Sequence, residues 1–335
     1  MQNPPRDLAG LKIPSIGLGC MNLSHAYGPP LPEDEGKALL NRALELGVIH
    51  FDTATLYGNG HNETLVGKTI RTQRSKLFLA SKCGMTIGDH GRIIDGTPAT
   101  LRRQIDASLT RLQTDVIDLY YLHRLDPEVP IEDSVGTLGR FVEQGKIRAV
   151  GLSEVSAQTL RRAHGEFPVA AVQSEYSPWT RNPELGVLSA CREIGAAFVA
   201  FSPVGRGFLT ARCPRPDELA DGDIRRNMPR FQAPHYEKNL SWHAEFIGLA
   251  EDSGCTPAQL SLAWTLAQGN HVHVIPGTTR QDHLVDNLGA GSVNLSTETL
   301  DRVGEIVSQA NVSGARYGAA TQQDIDTEEF ESGRG

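Results

Sequence analysis

HFDTATLYGNGHNETLVG, residues 50–67, opens as a strand and closes as a helix. The run VIHFDTA (48–54) is apolar up to Asp52 without alternation, as in a strand covered on both faces. Tyr57-Gly-Asn-Gly supplies a turn, and helix-like sequence follows over about 62–71. Asp52 and Tyr57, both able to move a proton, therefore stand at the C-terminal end of a strand.

The same unit recurs along the chain. Upstream lie a strand near SIGLGC (15–20) and a helix over 33–47 that stops at Gly47. Downstream, LFLASK (77–82) precedes a helix over about 98–112, which Thr97-Pro98 caps and starts. VIDLYYLH (116–123), IRAVGLS (147–153), VAAVQSE (169–175) and AFVAFS (197–202) follow, separated by helices at 131–144, 156–164 and 184–194. A polar insertion runs from about 204 to 241. Helices near 242–253 and 257–268 lead to the last strand, HVHVIP (271–276), and a helix near 280–289 closes the eighth unit. Eight βα units predict a single α/β domain over 1–335, a (β/α)8 TIM barrel. An N-terminal β-hairpin, an extra C-terminal helix and a C-terminal tail over about 312–335 complete the expected architecture. The insertion at 204–241 would be a lid, since loops of that length are uncommon unless functional or disordered.

Four residues at the ends of successive strand units carry the chemistry: Asp52 and Tyr57, then Lys82, then His123. A free Tyr titrates near 10, and a neighbouring ammonium favours its ionised form. Lys82 could supply that ammonium, with Asp52 holding it charged. His123 could donate a hydrogen bond to a carbonyl oxygen. The set makes a proton donor and a clamp around one carbonyl, which is half of a reduction. The other half is a hydride, which needs a nicotinamide or a flavin. Singly, each residue reads as ordinary packing, capping or surface charge; their joint placement is what argues for a site.

Composition narrows the field. Of 335 residues, 39% are hydrophobic, enough for a real core, and the net charge of −8 offers no basic surface for nucleic acid or membrane. Five scattered cysteines form no CxxC pair and suit a reducing cytoplasm. Cys20 and Cys83 lie near strand ends, but buried packing is the plainer reading. The chain starts without an apolar leader segment. NETLVGKT (62–69) approaches a P-loop, yet Asn62 replaces its first glycine; no complete GxGxxG exists. His271 and His273 lack a nearby third ligand, so no metal is expected.

The segments FDTATLYGNGHNETLVGKTI (51–70), LYYLHRLDPEVPIEDSVGTLGRFVEQGKIRAVGLSE (119–154) and VIPGTTRQDHLVDNLGA (274–290) closely resemble three signatures of the aldo-keto reductases. RRNMPRF (225–231) and YEKNL (236–240) resemble the subgroup that includes perakine reductase and related bacterial reductases. The resemblance implies the same barrel and a catalytic tetrad of Asp52, Tyr57, Lys82 and His123, with Tyr57 as general acid. It implies that Ser153 and Gln173 hold a nicotinamide carboxamide and that Phe201, where Tyr is usual, stacks on the ring. Ser202, Pro203, Gly205 and Gly207 would follow the pyrophosphate, with Gly19 and Met21 also against the cofactor. Gly277, Thr278, Thr279, Arg280, His283, Asp286 and Asn287 would take the adenosine end. Arg280 and Thr278 suit a 2′-phosphate, so NADPH is favoured over NADH, with Thr279 and His283 softening the preference. Met21, Leu23, His25, Arg124 and Trp179, with Tyr27 and a loop at 85–96, would wall the substrate pocket. The implied partner is a small aldehyde or ketone; oligomeric state is left open. Two other readings stay in view: a nucleotide-binding sensor like the potassium-channel β subunits, and an aldolase with Lys82 as Schiff base.

Overall fold

The computed structural model describes residues 5–88 and 91–330. A hairpin of β1 (Pro5–Leu8) and β2 (Leu11–Pro14) precedes β3 (Leu18–Gly19), α1 (Glu33–Glu45), β4 (His50–Asp52) and α2 (His61–Ile70). Next come β5 (Phe78–Cys83), a second hairpin of β6 (Met85–Gly88) and β7 (Gly91–Ile94), α3 (Pro98–Leu112), β8 (Ile117–Leu122) and α4 (Ile131–Glu143). The third quarter is β9 (Ile147–Ser153), α5 (Ala157–Glu166), β10 (Val169–Glu175), α6 (Val187–Ile194) and β11 (Ala197–Phe201). Last are α7 (His235–Asp252), α8 (Pro257–Ala267), β12 (Val272–Val274), α9 (Gln281–Gly289), α10 (Thr297–Ile306) and α11 (Ala319–Gln322).

Eight strands pair in parallel in chain order: β3, β4, β5, β8, β9, β10, β11 and β12. Bridges from Ile16 to Val274 and from Gly19 to Gly277 join the first to the last. Gly17 N donates to Val274 O and Val274 N to Ser15 O, both at 2.9 Å, so the sheet closes on itself as a barrel.

Why the strands are unbroken apolar runs is plain from β8, where all six residues are buried. Leu119 and Tyr121 fill the barrel interior, while Ile117, Tyr120 and Leu122 pack against the helical ring. Tyr121 lies opposite Gly151 in register, and a Cβ on Gly151 would sit 2.3 Å from its ring. The helices are amphipathic for the complementary reason. In α4, Ile131, Ser134, Val135, Leu138 and Phe141 form the buried stripe; Glu132 and Asp133 lie in the first turn and Arg140 in the last, as the helix dipole favours. Thr97 caps α3 by accepting from Thr100 N, as its sequence promised.

Two segments differ from the sequence reading. The helix expected at 242–253 begins at His235, so YEKNL is its opening and the irregular insertion ends at 234. Its buried face is disguised because it carries Asn239 and His243, which bond the backbone at Ser313 and at Phe208. The loop expected at 85–96 is largely the β6–β7 hairpin, whose buried positions are too few to give an alternating pattern.

Beneath the site, the β1–β2 hairpin plugs the barrel with Leu8 and Ile13. His50 and His273 are buried nearby; His273 Nε2 meets Asp7 O at 3.0 Å, and neither His50 nitrogen has a protein partner among the described residues. Burial pushes His50 down to about 3 and His273 down to about 4. Both stay neutral in the folded chain while an unfolded His takes a proton below about 6.5. Stability is therefore complete above that value and falls as acid is added, by up to about 1.4 kcal/mol per pH unit for each His, until the folded values are reached. Urea unfolding at pH 7, 5.5 and 4.5 should show this decline, and His50→Leu should make it shallower.

Candidate active site

Strand register brings Asp52 and Lys82 together inside the barrel mouth. Asp52 ends β4, Ala80 lies opposite it on β5, and Lys82 is two residues further on the same face. Lys82 is 1% exposed and ion-paired with Asp52. Its Nζ also donates to Thr53 O at 2.9 Å and to the Tyr57 hydroxyl at 3.2 Å. Asp52 is completed by Gln173 Nε2 at 2.7 Å, from β10. His123 follows β8, its N–H donating to Cys83 O at 2.8 Å, and its ring lies edge-on to Tyr57 with centroids 5.9 Å apart.

The electrostatics follow from this packing. Burial opposes charge on Lys82, but Asp52 and Tyr57 outweigh it and hold the ammonium above its ordinary value. Burial pushes Asp52 up against the pull of Lys82 and Gln173. For Tyr57 burial also prevails over Lys82, so its value is raised; the net lowering expected from the sequence is not seen. The phenol is thus kept protonated, the form that donates. Burial, with Arg124 and Lys82, holds His123 well below the usual range, hence neutral.

A cavity of about 980 Å³ connects Asp52, Tyr57 and His123 to the far side of the barrel. Its wall includes Gly19, Met21, His25, Tyr27, Arg124, Ser153, Gln173, Phe201, Ser202, Pro203 and Gly207. It continues along Gly277, Thr278, Thr279, Arg280, His283, Asp286 and Asn287. Three expected members are elsewhere. Leu23 is fully buried in the core. Trp179 stacks on Phe208 at 4.3 Å, and Gly205, at φ +57°, lies behind the wall where a Cβ would meet the Trp179 ring. Cys20 and Cys83 are buried, their thiols pushed up by burial, as befits inert packing.

At the distal end Arg280 is exposed and paired with Asp282 at 2.5 Å, while Asp286 accepts from Thr256 Oγ1 at 3.0 Å. Gly277 is closely packed: a Cβ there would stand 2.8 Å from Asn22 Oδ1 and 3.0 Å from Gly19 O. This smooth, glycine-floored trough ending at a helix N-terminus and an arginine fits a phosphorylated dinucleotide.

A second buried system holds the rim. Glu154 follows β9 in a left-handed conformation, φ +55°, at a cost of about 1–2 kcal/mol for a side-chain-bearing residue. Its carboxylate accepts from Arg316 and from Glu175 N, at 2.7 and 2.8 Å, and from Thr327 Oγ1 at 2.9 Å. Glu175 pairs with Arg206 at 2.7 Å and Arg316 at 3.2 Å. Burial would raise both acids, but the arginines prevail, holding Glu154 below the usual range and Glu175 at about 2. The C-terminal tail is thus bound beside Ser153 and Gln173, and its Tyr317, Gly318 and Thr321 join the cavity wall. Sequence reasoning missed these three, together with Asn22 and Arg206, because no strand-end pattern marks them.

The aldo/keto reductase family profile matches residues 15–308. The chain belongs to the aldo/keto reductase family. It is 43% identical over 336 residues to the NADP(+) aldo-keto reductase yakc of Schizosaccharomyces pombe, covering 98% of each chain. Among solved structures it resembles the glycerol dehydrogenase of Gluconobacter oxydans, with a TM-score of 0.82 and 28% identity over 92% of this chain and 96% of that one. It also resembles an aldo/keto reductase of Klebsiella pneumoniae solved with NADP and acetate, with a TM-score of 0.72 and 26% identity over 95% and 99%. The shared fold of this family is the barrel described above.

Arg316 tests the rim. Replacing it with Met would leave Glu154 and Glu175 short of a buried partner, and chemical unfolding should show a loss of about 3–5 kcal/mol.

Proposed function

We propose that this aldo/keto reductase reduces aldehydes and ketones to alcohols, using NADPH, with Tyr57 as the general acid. The observation that carries the reading is the Tyr57 hydroxyl, 3.2 Å from a buried ammonium, in the wall of a cavity that also holds His123 and runs to Arg280. NADPH, when bound, supplies the hydride; yakc, whose name specifies NADP(+), supports that choice.

Ser153 and Gln173 lie where a carboxamide would be held. Gln173 gives its Nε2 to Asp52, leaving its oxygen as an acceptor. Phe201 offers a flat face for the ring. Thr278, Arg280 and Asn287 suit the adenosine end. At the opposite end of the cavity, Tyr57 gives its proton to the substrate carbonyl oxygen, and the phenolate left behind is stabilised by Lys82. Neutral His123 offers an N–H to the same oxygen, fixing the carbonyl in place. The segment 204–234 and the tail cover the cavity, which limits water at the reacting centre.

The aldolase reading fares worse. A Schiff-base lysine must be a neutral, reachable amine. Lys82 is buried, hydrogen-bonded to three oxygens and held charged by Asp52. A purely sensory role leaves the complete Asp52–Lys82–Tyr57–His123 arrangement without a purpose.

Turnover is read from NADPH absorbance with 4-nitrobenzaldehyde. Tyr57→Phe should lower kcat by about 10²–10⁴-fold and leave NADPH binding nearly unchanged by fluorescence titration. Wild-type rates surviving in Tyr57→Phe would sink the mechanism. Arg280→Met should reduce the kcat/KM preference for NADPH over NADH by about tenfold, one charge-assisted contact's worth.

A further inference from the structure

Among the described residues, one cation at the reacting end of the cavity has no carboxylate within ion-pair distance. Lys82 is matched by Asp52, and Arg92, from β7, is matched by Asp324 at 3.0 Å on the tail. Arg124 has no carboxylate partner among the described residues, although it is half-buried and lines the cavity directly after His123. The nearby acids direct their hydrogen bonds elsewhere, although the charge of Arg124 helps hold Glu154 ionised. Glu154 gives its oxygens to Arg316, Thr327 and the Glu175 amide. Asp126 accepts from the amides of Gly96 and Glu128, both at 2.9 Å. Asp52 is taken by Lys82 and Gln173.

The orientation of the guanidinium sharpens the point. Nη1 donates to His123 O at 2.6 Å and to Ser153 Oγ at 3.2 Å, which anchors the group. The Nε and Nη2 hydrogens have no protein acceptor among the described residues. That edge is the one a carboxylate takes in a two-point fork. Arg124 lies near the reacting atoms, since its charge is felt at both Tyr57 and His123. It stands after β8, with β9 and β10 between it and β11, which carries Phe201 and leads to the pyrophosphate trough. An anion on Arg124 is therefore the substrate's and not the cofactor's.

We infer that Arg124 is a substrate-binding residue, selecting carbonyl compounds that carry a carboxylate on the same small skeleton. Met21, Leu56, Met85 and Met228 give this otherwise mixed wall apolar surface, which suits an aromatic or aliphatic frame between the two groups. A single monovalent cation matches a carboxylate better than a phosphate dianion. The inference rests on the reductase reading and narrows its substrate class.

The test compares 4-carboxybenzaldehyde with its neutral methyl ester, methyl 4-formylbenzoate, at saturating NADPH. The wild type should favour the acid in kcat/KM by about tenfold or more, mostly through KM. In Arg124→Gln the ratio should fall to about one or below, with Arg124→Lys between them, and NADPH binding checks that each variant is folded. A purely structural role for Arg124 would lower both substrates alike and keep the ratio. A wild-type ratio near one, or an undiminished ratio in Arg124→Gln, overturns the proposal and leaves the reductase reading standing. No turnover of either aldehyde, or of 4-nitrobenzaldehyde, overturns the reductase reading and this proposal with it.

Discussion

A lysine ammonium inside a barrel has no water to turn to, and the placing of Asp52, Tyr57 and Gln173 follows from how Lys82 is satisfied. Desolvating such a charge costs several kcal/mol, so it persists only where opposite charge and hydrogen bonds meet it closely. Asp52 on the neighbouring strand provides the charge, Thr53 O and the Tyr57 hydroxyl the remaining acceptors. Tyr57 is thereby fixed at the cavity floor, and Gln173 is drawn in from across the barrel to finish Asp52. Parallel strands in register make this possible, since residues two apart on one strand and opposite on the next share the interior face. The Asp52–Lys82–Tyr57 cluster and the closed barrel are consequences of the same geometry.

The repeating units of the barrel and the N-terminal hairpin were legible in the sequence; the contacts made by its irregular segments were not. The strands announced themselves because burial on both faces makes them uniformly apolar, and Asp52, Lys82 and His123 stood out as polar residues at the ends of such runs. The Arg280–Asp282 pair was invisible: two charges two residues apart on an exposed turn carry no pattern that says they will meet. Trp179 looked like a wall residue and proved to be core, held by Phe208, because the contact depends on how an irregular segment folds back. YEKNL read as loop because the buried side of α7 uses Asn239 and His243 to serve the backbone of other segments. The tail could not be placed at all, for its partners Glu154 and Glu175 lie more than a hundred residues away.

The two buried electrostatic systems differ in kind. The Lys82 system is small and reaches the cavity through Asp52 and Tyr57. The Glu154–Glu175 system is sealed, with acids held ionised by arginines well outside neutral titration, and it does mechanical service. It keeps a left-handed turn directly after Ser153 and seats Tyr317 in the wall. One system is poised to change and the other to stay as it is, and they meet at the strand ends of β9 and β10.

The distance along the chain between Glu154 and Arg316, 162 residues, has a temporal side. A ribosome adding about 5–20 residues per second needs roughly 8–32 s to cover it. Throughout that interval the nascent barrel holds Glu154, an acid destined for burial, before its partner Arg316 exists, and β3 waits likewise for β12. The rim must stay open to water until the last segment emerges. Arg316 and Thr327, made long after β9 and β10, are the residues that lock the ends of those strands in place.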